Sequence, residues 1–213
     1  MKIEGVKLRL YAVTDRAWAA DEDALMDQIA AAIDGGAGIV QLREKHLDHD
    51  AFLKEAQRFV ALCREKGVVS IINDAVDIAA AVGADGVHVG QSDLAAGRAR
   101  EVLGPDKLIG VSAHSVEEAL AAQAAGADYL GVGAAFVTGT KADAAPISRD
   151  TIRAITEAVD IPVVAIGGIS RDNITELADC GLDGVAVVSA LFAQKDVKAA
   201  AKELYALSES IAR

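Results

Sequence analysis

Aromatic residues are scarce in this chain, at 4% of 213 positions, so a core has to be assembled from Ala, Val, Ile and Leu. The chain is 52% hydrophobic and 25% charged, a balance that suits a folded protein with a sizeable core and not a disordered one. Cysteine is nearly absent. Cys63 and Cys180 stand far apart, without CxxC spacing and inside helical patterns, as two buried thiols would. Positive charge is short as well: 21 Lys and Arg against 32 Asp and Glu leave a net charge of −11. That balance argues against sequence-independent binding to a nucleic-acid backbone. It still allows small phosphorylated ligands, because a few local cations override a net charge. Long apolar runs are missing, and no window approaches the roughly 18 unbroken residues of a membrane span. The amino-terminal stretch MKIEGVKLRLYAVTDR lacks the apolar segment of a signal peptide. A cytoplasmic protein without nucleic-acid or membrane partners is expected. No Pro- or Ser-rich linker divides the chain, so 1–213 is read as one domain.

What is present is a repeat. An Ala-rich helical stretch, a Gly-containing turn and a short apolar run recur at Gly35–Leu42, Gly83–Val89, Gly126–Val132 and Gly181–Val188. Glycine just past a helix end supplies the left-handed residue that closes it. A β-branched run that is apolar on both faces suits a parallel strand covered on both sides. Collecting all such runs predicts eight strands: Leu8–Val13, Ile39–Leu42, Val69–Asn73, Gly86–Val89, Leu108–Ser112, Tyr129–Val132, Val163–Ile166 and Gly184–Val187. Helical periodicity fills most gaps, at Asp21–Asp34, Asp50–Lys66, Val76–Val82, Leu94–Leu103, Val116–Ala125, Asp150–Val159, Asn173–Cys180 and Val197–Ile211. Ser115 with Glu118 reads as a capping box. No Gly-x-Gly-x-x-Gly follows the first strand, which favours a closed (β/α)8 TIM barrel over an open doubly wound sheet.

A barrel gathers chemistry at the C-terminal ends of its strands. Here those ends carry Gln41-Leu42-Arg43-Glu44-Lys45, Asn73-Asp74, His88 through Asp93, Ser112-Ala113-His114, Thr138-Gly139-Thr140-Lys141, Gly167-Gly168 and Ser189. Alternation points Gln41, Arg43 and Lys45 one way and Leu42 and Glu44 the other. Arginine offers a bidentate fork to phosphate oxygens and lysine a point charge, so the file of three reads as a diphosphate grip. Asp74 and Asp93 each precede a helical run and, taken singly, read as helix N-caps. Converging at one mouth they would repel unless a cation joined them, and all-oxygen ligation suits Mg2+. Gly167-Gly168 and Val188-Ser189-Ala190 match the phosphate site that barrels build after strands seven and eight. Two anion sites at one mouth point to a reaction joining two phosphorylated substrates.

These residues resemble the thiamine-phosphate synthase family. The likeness is carried by Leu10–Arg16, Gln41–Lys45, Ile72–Asp74, Gly86–Asp93, Gly110–His114, Thr138–Lys141 and Ala165–Ile169, spread in family order over nearly the whole chain. Two departures stand at Gly133-Ala134 and Val137-Thr138, where the family usually has Gly-Pro and Pro-Thr. The resemblance implies condensation of hydroxymethylpyrimidine diphosphate with a thiazole phosphate, releasing pyrophosphate. By the same carry-over Gln41, Leu42, Arg43, Glu44, Lys45, Asn73, Ser112 and Lys141 hold the pyrimidine diphosphate. Thr138, Gly139, Thr140, Gly168, Val188 and Ser189 hold the thiazole phosphate. Asp74 and Asp93 bind one Mg2+, and Arg43, Lys45, Ser112 and Lys141 serve the chemistry. Two other readings stay open: a thiazole tautomerase-like sister enzyme on the same barrel, and a non-catalytic thiamine-phosphate-binding protein. The outer helices are compatible with a homodimer without demanding one.

Overall fold

The computed structural model describes residues 5–90, 95–138 and 145–213. Eight parallel strands close into a barrel in sequence order: β1 (Leu10–Val13), β2 (Ile39–Leu42), β3 (Val69–Asn73), β4 (Gly86–Val89), β5 (Leu108–Ala113), β6 (Tyr129–Gly133), β7 (Val163–Ile166) and β8 (Gly184–Val187), with β8 pairing back onto β1. Around it lie α1 (Gly5–Leu8), α2 (Glu22–Asp34), α3 (His49–Lys66), α4 (Val76–Val82), α5 (Ala95–Leu103), α6 (Val116–Ala124), α7 (Arg149–Ala158), α8 (Ser189–Phe192) and α9 (Val197–Ile211). No helix among the described residues is long and apolar enough to cross a membrane.

Strand parity splits the core in two. Ile39 points into the barrel with Tyr11, Ile71, Leu108, Tyr129 and Val164, whereas Val40 and Leu42 point out and pack under the helices. The larger helix α3 shows why the outer shell forms. Asp48 caps it by accepting from Ala51 N at 2.9 Å, Gly67 closes it in the left-handed region, and Phe52, Ala56, Phe59, Val60 and Cys63 bury one stripe. Burying each of the larger apolar side chains is worth roughly 1.5–3 kcal/mol. Cys63 and Cys180 are free and buried, and burial pushes the Cys63 thiol up.

Three expectations need correction. Leu8 ends a short helix and β1 begins at Leu10. The helix expected over Asn173–Cys180 is one 3-10 turn, Ile174–Leu177, because the Asn173 side chain is engaged elsewhere and Asp179 takes φ +61°. The Ser115 hydroxyl does accept from Glu118 N at 3.2 Å, but the Glu118 carboxylate reaches His114 N at 2.7 Å and not the capping residue itself.

Candidate active site

The site begins where β1 and β2 end. Thr14 N donates to Gln41 O at 3.0 Å and Thr14 Oγ1 accepts from Arg43 N at 3.0 Å, so the buried threonine steers the chain as it leaves the barrel. Gln41 stays inside, 4% exposed. The Arg43 guanidinium is held 3.7 Å from Asp15. Leu42 and Glu44 are turned away from the mouth, as alternation requires, and their side chains do not line the cavity. Glu44 instead accepts from Arg16 Nε at 3.1 Å, and the same arginine pairs with Glu55 of α3. Arg43 and Lys45 therefore flank a residue that is anchored from behind.

At the end of β3, Asn73 Nδ2 donates to Asp74 Oδ2 at 2.6 Å. Asp74 caps nothing: α4 follows Ala75 with no side-chain cap, and Asp74 itself sits at φ +61°. A non-glycine residue there is uncommon and costs about 1–2 kcal/mol, a conformation that clusters at functional sites. On the next strands round, Ser112 Oγ of β5 lies 3.1 Å from His88 Nε2 of β4, and His88 Nδ1 lies 3.2 Å from the Tyr129 hydroxyl.

The opposite wall is built by β6, β7 and β8. Ala135 N and Phe136 N donate to Ile166 O and Gly167 O at 2.9 and 3.0 Å, tying the segment after β6 to the end of β7 and bringing Thr138 to the mouth. Gly168 lies at φ +67°, and a Cβ there would stand against the carbonyl oxygens of Val137 and Phe136. Asn173 fixes this turn by donating to Gly168 O at 2.9 Å and accepting from Ser170 N at 2.8 Å. After β8, Val188 and Ser189 open the short helix α8 without a side-chain cap.

These pieces share one cavity of about 300 Å³. Gln41, Arg43, Lys45, Asn73, Asp74 and Ser112 line one part, and Thr138, Gly168, Val188 and Ser189 line another. Asp93, Gly139, Thr140 and Lys141 lie outside the described residues. Among the described residues no group of three His, Cys, Asp or Glu is placed to hold a metal ion. Reading the sequence missed Tyr11, Tyr129, Asp15 and Arg16 as supports. Their signal lay in parity, since Tyr11 and Tyr129 occupy inward-facing strand positions.

A family model for thiamine monophosphate synthase matches residues 10–191. The chain belongs to the thiamine monophosphate synthase family. Membership places it among transferase enzymes. The chain is 52% identical over 203 residues to the thiamine-phosphate synthase of Chloroflexus aurantiacus, covering 95% of this chain and 93% of that one. It is 49% identical over 195 residues to that of Ruminiclostridium cellulolyticum, covering 92% of each. Among solved structures, thiamine phosphate pyrophosphorylase from Pyrococcus furiosus superimposes with a TM-score of 0.88 at 40% identity, over 97% of this chain and 98% of that one. A 3-hexulose-6-phosphate synthase, at 19% identity and a TM-score of 0.69 over 93% of this chain and 99% of that one, shares the fold alone. Family membership and the shared mouth together make the cavity the site on which function has to be argued.

Proposed function

We propose that the chain joins a hydroxymethylpyrimidine diphosphate to a thiazole phosphate, giving thiamine phosphate and pyrophosphate, and that it does so in the cytoplasm. The supporting observation is that a cation-bearing wall (Arg43, Lys45) and a glycine-turn wall (Gly168, Val188, Ser189) face one cavity. Neither wall alone explains the other. In the reaction the carbon–oxygen bond to the diphosphate breaks and the thiazole nitrogen forms the new bond to the same carbon, so no serine or cysteine nucleophile is required.

Arg43 and Lys45, with Lys141, hold the diphosphate and take up the charge that grows on it as it leaves, by electrostatic stabilisation set in place beforehand. The backbone amides around Gly168 and Val188-Ser189, with Thr138 and Thr140, hold the second phosphate and orient the thiazole nitrogen, which lowers the entropic part of the barrier. Asp74 fits a divalent cation: its carboxylate lines the cavity and, among the described residues, accepts from Asn73. Mg2+ accepts such a site readily, taking one or two carboxylates, waters and substrate phosphate oxygens. Asp74 and Asp93 would hold one ion, which when bound supplies charge neutralisation to the leaving pyrophosphate.

The test is turnover with both phosphorylated substrates and Mg2+. Stoichiometric pyrophosphate and thiamine phosphate are expected. Conversion of the thiazole phosphate alone would favour the tautomerase reading, and tight product binding without turnover the binding-protein reading. For the metal, Asp93→Ala assayed at limiting Mg2+ should lose activity on the order of 10²–10³-fold; a wild-type rate there would remove the metal assignment.

A further inference from the structure

Asn173 stands where asparagine ordinarily caps a helix, and it caps nothing. Its side chain makes no capping bond to the 3-10 turn Ile174–Leu177 that follows. It reaches back instead to the turn after β7, donating from Nδ2 to Gly168 O at 2.9 Å and accepting at Oδ1 from Ser170 N at 2.8 Å. The two bonds together fix which way the amide faces. Turned over, it would set N–H against N–H and oxygen against oxygen. Its own footing is firm: Ile174 N donates to Ser170 O at 3.0 Å, and the Ile174 and Leu177 side chains are fully buried.

A bond on one side of a peptide decides where the other side points. In a planar trans peptide the C=O and the following N–H face opposite ways. Asn173 does not line the cavity, whereas Gly168 and Ile169 do. With the Gly168 carbonyl drawn back to Asn173, the Ile169 N–H of the same peptide is turned toward the mouth. The two preceding carbonyls are tied as well, Ile166 O to Ala135 N at 2.9 Å and Gly167 O to Phe136 N at 3.0 Å. Three successive carbonyls of the turn are thus each held by a donor. Ile169 is 6% exposed and, among the described residues, its N–H has no acceptor. Buried backbone N–H groups are rarely left so, and what the protein does not pair is taken by water or a ligand.

We infer that Asn173 is a positioning residue that keeps the Ile169 N–H free and aimed into the cavity, as a donor to a phosphate oxygen. This rests on the reading of that wall as the thiazole phosphate site. Among the described residues Arg43 and Lys45 are the cations that line the cavity, and both stand on the other wall. An anion on the β7 side is therefore held by backbone amides, which bind only as well as they are pointed. Asn173 acts through the turn and touches no substrate.

Two measurements test it. The first titrates inorganic phosphate into protein labelled with 15N-isoleucine, the Ile169 resonance being assigned by its loss in Ile169→Val. The Ile169 amide proton should move downfield as phosphate is added. An amide that stays put, whether or not phosphate binds elsewhere, would overturn the inference and leave the proposed reaction untouched. The second is Asn173→Asp, which keeps an acceptor for Ser170 N but sets a carboxylate against Gly168 O. It should raise KM for the thiazole phosphate about tenfold or more and leave KM for the pyrimidine diphosphate at its wild-type value. The phosphate titration of Ile169 should shift by the same factor. A lowered melting temperature with both KM values unchanged, or an equal rise in both, would reduce Asn173 to packing and sink the idea. If Asn173→Asp does not fold, Asn173→Ala removes both bonds without adding charge and is read the same way. A phosphate-responsive Ile169 in a protein that joins no two substrates would leave the inference standing and overturn the thiazole phosphate reading.

Discussion

The two ends of the barrel use aspartate in opposite ways. At the N-terminal end Asp85, Asp128 and Asp183 each precede a strand and accept from a backbone N–H of the neighbouring strand: Ser70 at 2.9 Å, Ile109 at 2.7 Å and Val163 at 2.8 Å. Arg100 and Arg213 complete two of these brackets at 2.6 and 3.1 Å. At the C-terminal end Asp74 accepts from the neighbouring Asn73 and stands exposed in a left-handed backbone conformation. An acid whose oxygens are taken up by strand amides stitches the sheet. One left facing a cavity is available to a ligand.

Substitution should separate the two uses. Asp74→Asn keeps a residue that tolerates the left-handed conformation and removes only the charge. It should lower turnover on the order of 10²–10³-fold with an unchanged melting temperature. Asp128→Ala should do the reverse. With the Ile109 N–H stripped of its acceptor and the Arg100 guanidinium left only its backbone carbonyls, stability should fall by about 1–3 kcal/mol while kcat/KM stays near wild type. Urea melts and steady-state kinetics on the same two proteins decide it. A stability loss in the first or a rate loss in the second would erase the distinction.

Glycines sharpen the same contrast at a smaller scale. Gly168→Ala places a Cβ against Val137 O at φ +67° and should displace the β7 turn, raising KM for the thiazole phosphate about tenfold or more. Gly184→Ala places one against Leu8 O at the opposite end. It should cost roughly 1–3 kcal/mol of stability with KM unaltered. Equal effects on KM would mean that the two ends are mechanically coupled.

Much of this was legible beforehand, for a physical reason. Strands buried on both faces carry unbroken β-branched runs, so seven of the eight expected strands begin at the predicted residue; Leu8 misled because its run continues through the end of a helix. The strand ends were readable because polar residues there have no folding role to fill. Alternation sends Leu42 and Glu44 outward while the contiguous motif keeps them with the ligand, and their side chains do not line the cavity. The hydrogen-bonded file from Tyr11 through Tyr129 to His88 escaped because the three residues belong to three strands and have no shared periodicity. Helix α8, at four residues with no cap, has no sequence signature to find.

Behind the Arg43–Lys45 grip lies a case between the two ends of the barrel. Glu55 is 1% exposed on the buried stripe of α3, with one oxygen on Arg16 and Oε1 without a partner among the described residues. Burial pushes its carboxyl up to about 7; Arg16 works against that shift and the facing Glu44 adds to it. The folded protein therefore holds a proton that the unfolded chain, titrating near 4.5, has released. Linkage then makes this contribution full below the unfolded value and has it disappear as pH rises from about 4.5 to about 7, a loss of about 3 kcal/mol at most. Glu55→Gln cannot titrate. Subtracting its stability from that of the wild type across pH 4 to pH 8, by urea melts, should give a curve that falls through that window and is flat above it. A flat difference throughout would mean that Glu55 is ionised in the folded state, matched by Arg16 as the N-terminal aspartates are matched by their amides.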